Sequence, residues 1–124
     1  MEVRIAIRLF RVAKQFPPAH AEYLSPQEQG RKQRPGLSDE QKRSWDALSC
    51  WDTEEGARKL GQAFPKVGSL IVRFDIPEGA GVRWEQTIEP GHYDLRDDKE
   101  ELKRYLALDF VVQVVPEAGR EQEP

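Results

Sequence analysis

Residues 48–61 read LSCWDTEEGARKLG, and this stretch joins a short apolar segment to the start of a helix. Asp52, followed three residues later by Glu55, predicts a capping box with Asp52 as the N-cap. The next apolar or small residues recur at the spacing of one helical face: Ala57, Leu60, Gly61 and Phe64. Strand-to-helix elbows expose backbone N–H groups and small polar side chains, so Ser49 is a candidate ligand contact.

The composition predicts one domain without a membrane span. The chain has 124 residues, of which 38% are hydrophobic and 33% charged. We expect a globular domain over residues 1–116, with a long loop at 16–36 and a polar tail at 117–124. No apolar run approaches the roughly 18 residues that a span needs, so a cytoplasmic protein is expected. The single cysteine, Cys50, has no partner for a disulfide or a zinc knuckle, so no metal is expected.

Charge is distributed unevenly along the chain. Residues 1–36 carry seven Lys/Arg and three Asp/Glu, a net +4, whereas residues 37–124 carry twelve and nineteen, a net −7. The basic run at residues 31–34 lies in this first third. Either it is a solvated basic surface or it holds an anionic partner.

The first strand contains a cation in an unusual place. Val3, Ile5, Ile7 and Leu9 alternate with polar or small residues, which is typical of a half-buried strand. The same alternation puts Arg11 on the apolar side. A guanidinium there needs partners, so Arg11 either faces a ligand or forms an internal ion pair.

The second half of the chain predicts a mainly antiparallel sheet. Residues 70–76 and 82–88 alternate around the turn at 77–81, which favours an antiparallel pair. Residues 92–95 form a short extended piece, and the apolar run 108–115 predicts a central strand buried on both faces. With its short helices, the chain is expected to be an α+β domain whose sheet is either single or split.

Three segments carry a resemblance to a known family. They are Phe10-Arg11-Val12, Leu48-Ser49-Cys50-Trp51, and residues 71–76 followed by Pro77-Glu78-Gly79. In their order, they resemble the small bacterial ADP-ribosyltransferase-like domains, which include toxin-like proteins that consume NAD. The chain departs from the family's serine-threonine-serine motif, because it has Ser49-Cys50-Trp51 at that place.

The resemblance implies an ADP-ribosyltransferase-like fold and NAD as co-substrate. Arg11 would grip the pyrophosphate, Ser49 would organise the nicotinamide pocket and Trp51 would supply an apolar surface for the ring. Glu85 and His92 would act near the ribose as catalytic residues. Cleavage of the nicotinamide-ribose bond develops positive charge on the sugar, which a carboxylate near the ribose can stabilise.

A second hypothesis comes from a different class of function. The basic N-terminal third could dock an acidic protein or an RNA, which would make the chain a non-catalytic binding module. The two hypotheses predict different ligands: a nucleotide-like small molecule for the first and a macromolecule for the second.

Overall fold

The computed structural model describes residues 4–30, 35–39, 46–86, 90–96 and 99–114. The strands in this part of the chain are β1 (Ile5–Ala13), β2 (Leu48–Trp51), β3 (Leu70–Pro77), β4 (Arg83–Gln86), β5 (His92–Arg96) and β6 (Leu106–Gln113). The described ranges contain the α-helices α1 (Glu54–Ala63) and α2 (Lys99–Arg104), a helical residue at Asp39, and short 3-10 turns at His20–Tyr23 and Pro65–Val67.

The described strands form one six-stranded sheet with the order β4-β5-β2-β1-β3-β6. All five neighbouring pairs are antiparallel. The predicted α+β class with a mainly antiparallel sheet is therefore confirmed, and these strands are joined in a single sheet rather than a split one.

The sheet has an apolar cluster on each face. One cluster is built around Leu9, Cys50 and Phe74, each at most 1% exposed. On the opposite face, α1 packs Ala57 against Val12 and its neighbours. Because side chains alternate along a strand, Phe10 and Val12 lie on the α1 face, whereas Leu9 and Arg11 lie on the other.

The start of α1 differs from the prediction. Thr53, not Asp52, is the N-cap, and its Oγ1 accepts a hydrogen bond from the Gly56 N–H at 3.1 Å. The Asp52 N–H instead donates to the Gly91 carbonyl at 2.9 Å. This bond ties Asp52 to the turn before β5, so the helix begins one residue later. Ser49 lies within β2, opposite Asp94 of β5, rather than at the exposed elbow.

Two predictions about strand pairing are wrong. Strand β4 does not pair with β3, because it lies at the far edge of the sheet and pairs with β5. Strand β6 is not central but forms the other edge, next to β3. As a result, Leu108 and Val111 are 76% and 44% exposed, although their segment is almost continuously apolar.

Some predictions fall outside the described residues. These are Val3 of the first strand, the basic run at 31–34, the end of the predicted 82–88 strand, residue 115 of the predicted 108–115 strand and the tail at 117–124. Within the described ranges, no helix combines the length and apolar character that crossing a membrane requires.

Candidate functional site

Arg11 is held by backbone carbonyls from two other parts of the chain. Its guanidinium donates to the Ser49 carbonyl at 2.7 Å and to the Glu22 carbonyl at 3.2 Å. Strands β1 and β2 are paired only at Phe10 and Trp51, so the Arg11 side chain joins them where their backbones are no longer paired. The predicted partners of Arg11 were a ligand or an acidic side chain, but these two partners are peptide carbonyls.

Glu22 fixes the segment that follows β1. Its carboxylate accepts hydrogen bonds from the backbone N–H groups of Lys14, at 2.5 Å, and Ala19, at 2.9 Å. The Gln29 side-chain amide donates to the carbonyls of Ala21 and Leu24. These bonds organise residues 14–29, which include the first part of the loop predicted at 16–36.

A basic cavity lies between this segment and the turn after α1. Its volume is about 490 Å³. The cationic residues that line it are Arg11, Lys14 and Lys66, and Glu22 is the single acidic residue among the lining set. Three cations (+3) and one carboxylate (−1) give the lining residues a net charge of +2, so the cavity favours an anionic ligand. We call this space the basic cavity.

Trp51 and His92 are in contact on the α1 face of the sheet. They face each other across the β2–β5 pair, with ring centroids 4.9 Å apart in an edge-to-face arrangement. His92 is 5% exposed. A Cβ added at Gly56 would lie 2.9 Å from Trp51 Cε3, so α1 lies directly on the indole. The Trp51 Nε1–H is buried and has no acceptor within the described part of the chain.

The indole also forms part of a second cavity. This cavity has a volume of about 630 Å³. It is lined by Trp51, Asp52, Thr53, Glu55, Gly56, Lys59, Leu60, Phe64, Pro90 and Gly91. We call this space the tryptophan cavity.

Glu85 lies on the exposed edge strand β4, opposite Asp94. By the alternation of β5, Glu85, Asp94 and His92 share one face of the sheet. The chain therefore places the two predicted catalytic residues, Glu85 and His92, on one face of two neighbouring strands.

The five predicted site residues fall into separate groups. Arg11 contacts Ser49 through the Ser49 backbone, and Trp51 contacts His92. Arg11 and Trp51 project from opposite faces of the sheet and line different cavities. The assignments of these residues to NAD stay predictions.

Cys50 is a free cysteine buried inside the core. Burial raises its pKa to about 12, and the carboxylate of Asp94 adds to the rise while the Arg11 guanidinium opposes it. A nucleophilic cysteine needs a thiolate near neutral pH, so Cys50 serves packing rather than covalent catalysis.

Sequence reasoning missed Lys14, Glu22 and Lys66 as cavity residues. The spacing of Ala19 and Glu22 carries a weak signal, because an acid three residues after a turn start often bonds back to it. No sequence signal indicates that Lys66 lines this cavity, because only the tertiary fold brings the turn after α1 beside the 14–29 segment.

The described residues define an α+β protein with a six-stranded antiparallel sheet, and its basic cavity and tryptophan cavity both have the size that small ligands occupy. Comparison of this chain with protein-family models, with curated proteins and with solved structures found no match. Among the described residues, no three His, Cys, Asp or Glu side chains cluster as a metal site would require.

Proposed function

We propose that this protein is a non-catalytic binding module that docks an acidic protein segment in the basic cavity. The observation that carries the proposal is the convergence of Arg11, Lys14 and Lys66 on one space of about 490 Å³. Lys14 and Lys66 are exposed, so their ammonium groups can meet a carboxylate without a large desolvation cost. Arg11 is already bonded to two carbonyls and supplies positive charge from the wall of the cavity.

The lining of the basic cavity favours an acidic protein over RNA. Single-stranded RNA is held by aromatic rings that stack on bases, in addition to cations that follow the phosphates. No aromatic side chain is among the described residues that line this cavity. Apart from Glu22, its walls are amide, aliphatic and cationic, which suits a carboxylate on a flexible chain.

We expect a fluorescently labelled peptide of twelve glutamates to bind the protein in an anisotropy titration. The double variant Lys14→Gln/Lys66→Gln should bind this peptide with about tenfold lower affinity. Raising the salt concentration should weaken binding further, because exposed charges are screened. Lys59→Gln is the matched control, since Lys59 is exposed on α1 and does not line the basic cavity.

Three results would contradict the proposal. The first is a peptide affinity unchanged in the Lys14/Lys66 double variant, and the second is an equal loss in Lys59→Gln. The third is tighter binding of a single-stranded oligoribonucleotide of equal charge than of the peptide. That result would indicate RNA as the ligand of the basic cavity.

ADP-ribosyl transfer from NAD by an ADP-ribosyltransferase-like fold is the second candidate function. It is favoured by the contact between Trp51 and His92, the residues assigned to the nicotinamide and the ribose. The indole also lines a cavity of about 630 Å³. In this candidate function, Glu85 would stabilise the positive charge that develops on the sugar.

This second candidate predicts that incubation with NAD alone, with water as the acceptor of the ADP-ribosyl group, releases free nicotinamide, measured by chromatography. Glu85→Gln should reduce the rate about 100-fold, as removal of a charge-stabilising or proton-transferring group does. Glu78→Gln is the control, because Glu78 is equally an exposed glutamate and lies in the turn after β3. Absence of nicotinamide release, or equal rates in the two variants, would eliminate this function.

A further inference from the structure

The tryptophan cavity is separate from the basic cavity. The residues that line it come from the end of β2, from α1 and from the Pro90–Gly91 turn, and none of them lines the basic cavity. Its volume of about 630 Å³ lies within the roughly 300–1,000 Å³ that small-molecule sites occupy. It therefore has room for a ligand whether or not an acidic segment docks elsewhere.

Two aromatic rings give this cavity its apolar walls. Trp51 packs against α1 at Gly56 and against the His92 ring. Phe64 lies at the C-cap of α1 and is 59% exposed, so part of its ring is open to a ligand in the cavity. A flat ring bound in this cavity would remove part of the Phe64 surface from water and meet the fixed indole.

The charged residues of the cavity favour a cation. Asp52 and Glu55 are exposed, and within the described part of the chain their carboxylates form no ion pair or hydrogen bond. Lys59 is the single cationic residue among those that line the cavity, which leaves the set with one net negative charge. The positive end of the α1 dipole, about half a unit charge, reduces this negative charge but does not reverse it.

We infer that the tryptophan cavity binds an aromatic amine. The ring lies against Trp51 and Phe64, and the protonated amine lies by the carboxylates of Asp52 and Glu55. Both halves of the ligand then meet complementary groups: the ring meets apolar surface, and the ammonium meets unpaired carboxylates.

Three probes of nearly equal shape test this inference: tryptamine, tryptophol and indole-3-propionate. They share the indole ring and carry a cation, a neutral hydroxyl and an anion respectively. By isothermal titration we expect tryptamine to bind about fivefold more tightly than tryptophol, the effect of a favourable exposed charge contact. Indole-3-propionate should bind most weakly of the three.

Variants assign the two halves of the site. Phe64→Ala should weaken tryptamine and tryptophol alike, about threefold to tenfold, and the exposure of Phe64 leaves the core intact. Glu55→Gln should weaken tryptamine alone, whereas Lys59→Gln should strengthen it. Glu78→Gln removes an exposed acid that does not line this cavity and should change nothing.

The inference is overturned if none of the three probes binds, or if tryptophol binds as tightly as tryptamine. It is also overturned if Phe64→Ala leaves both affinities unchanged while its circular dichroism spectrum matches that of the unmodified protein. Tryptamine binding that survives the Lys14/Lys66 double variant shows that this site is independent of the proposed acidic-peptide site.

Discussion

Arg11→Ala should lower the free energy of unfolding by about 3 kcal/mol, measured from the midpoint of urea denaturation. The guanidinium donates to the carbonyls of Ser49 and Glu22, and hydrogen bonds from a charged donor contribute about 1.5–3 kcal/mol each. Alanine would remove both bonds and leave two partly buried carbonyls without this donor. Arg11→Lys should recover part of the loss, because an ammonium cannot span both carbonyls as a guanidinium does.

Arg8→Ala is the matched control for this prediction. Arg8 is on the same strand, and its side chain is 59% exposed and 3.3 Å from Asp75. Because Arg8 is mostly exposed and Asp75 keeps its hydrogen bonds to Arg73, losing this ion pair should cost at most about 1 kcal/mol. If the two alanine variants unfold at the same urea concentration, Arg11 is not the connection between β1, β2 and the 14–29 segment. If Arg11→Ala is as stable as the unmodified protein, Arg11 is better explained as a ligand contact.

Gly68→Ala should also destabilise the protein by about 3 kcal/mol, because it would force two backbone segments apart. A Cβ at this position would lie 2.3 Å from the carbonyl oxygen of Ala13, at the end of β1. Ala13 is paired with Leu70, so the clash would occur where the β1–β3 ladder begins. A backbone carbonyl in a paired strand cannot move aside as a flexible side chain can.

Gly79→Ala provides the comparison for Gly68→Ala. Gly79 has a φ of 83°, and no atom lies within 4 Å of an added Cβ. Its substitution therefore costs only the left-handed backbone conformation, about 1–2 kcal/mol. Equal midpoints of urea denaturation for the two variants would show that close approach to Ala13 does not limit position 68.

The local structure of this chain could be predicted well from its sequence. The alternation in residues 70–76 indicates β3, and the polar start and apolar face after residue 53 indicate α1. Both signals depend on neighbours within a few residues, which the sequence contains directly. The error of one residue at the cap arose because Asp52 is bonded to Gly91, 39 positions away.

The candidate sites were less predictable than the elements. The phase of β1 identified Arg11 as a cation that needs partners, and the structure shows that it has them. The nature of those partners depends on how β1 and β2 separate beyond Phe10, which no local pattern encodes. Similarly, the residues assigned to one NAD site divide between two faces of the sheet because a strand turns alternate side chains to opposite faces.

The sequence by itself determined which segments are strands and helices, and that Arg11 required polar partners. Only the tertiary structure decided the order of the strands. Residues 106–113 are apolar enough for a central strand. Hydropathy indicates whether a strand tends to be buried, but it does not specify which strands pair with it. The turn at 77–81 suits a hairpin, yet β4 pairs with β5 at the opposite edge from β6. Contacts across the whole sheet decide which strands pair. The basic cavity and the tryptophan cavity form between segments that are distant in the sequence, so they depend on the order of the strands.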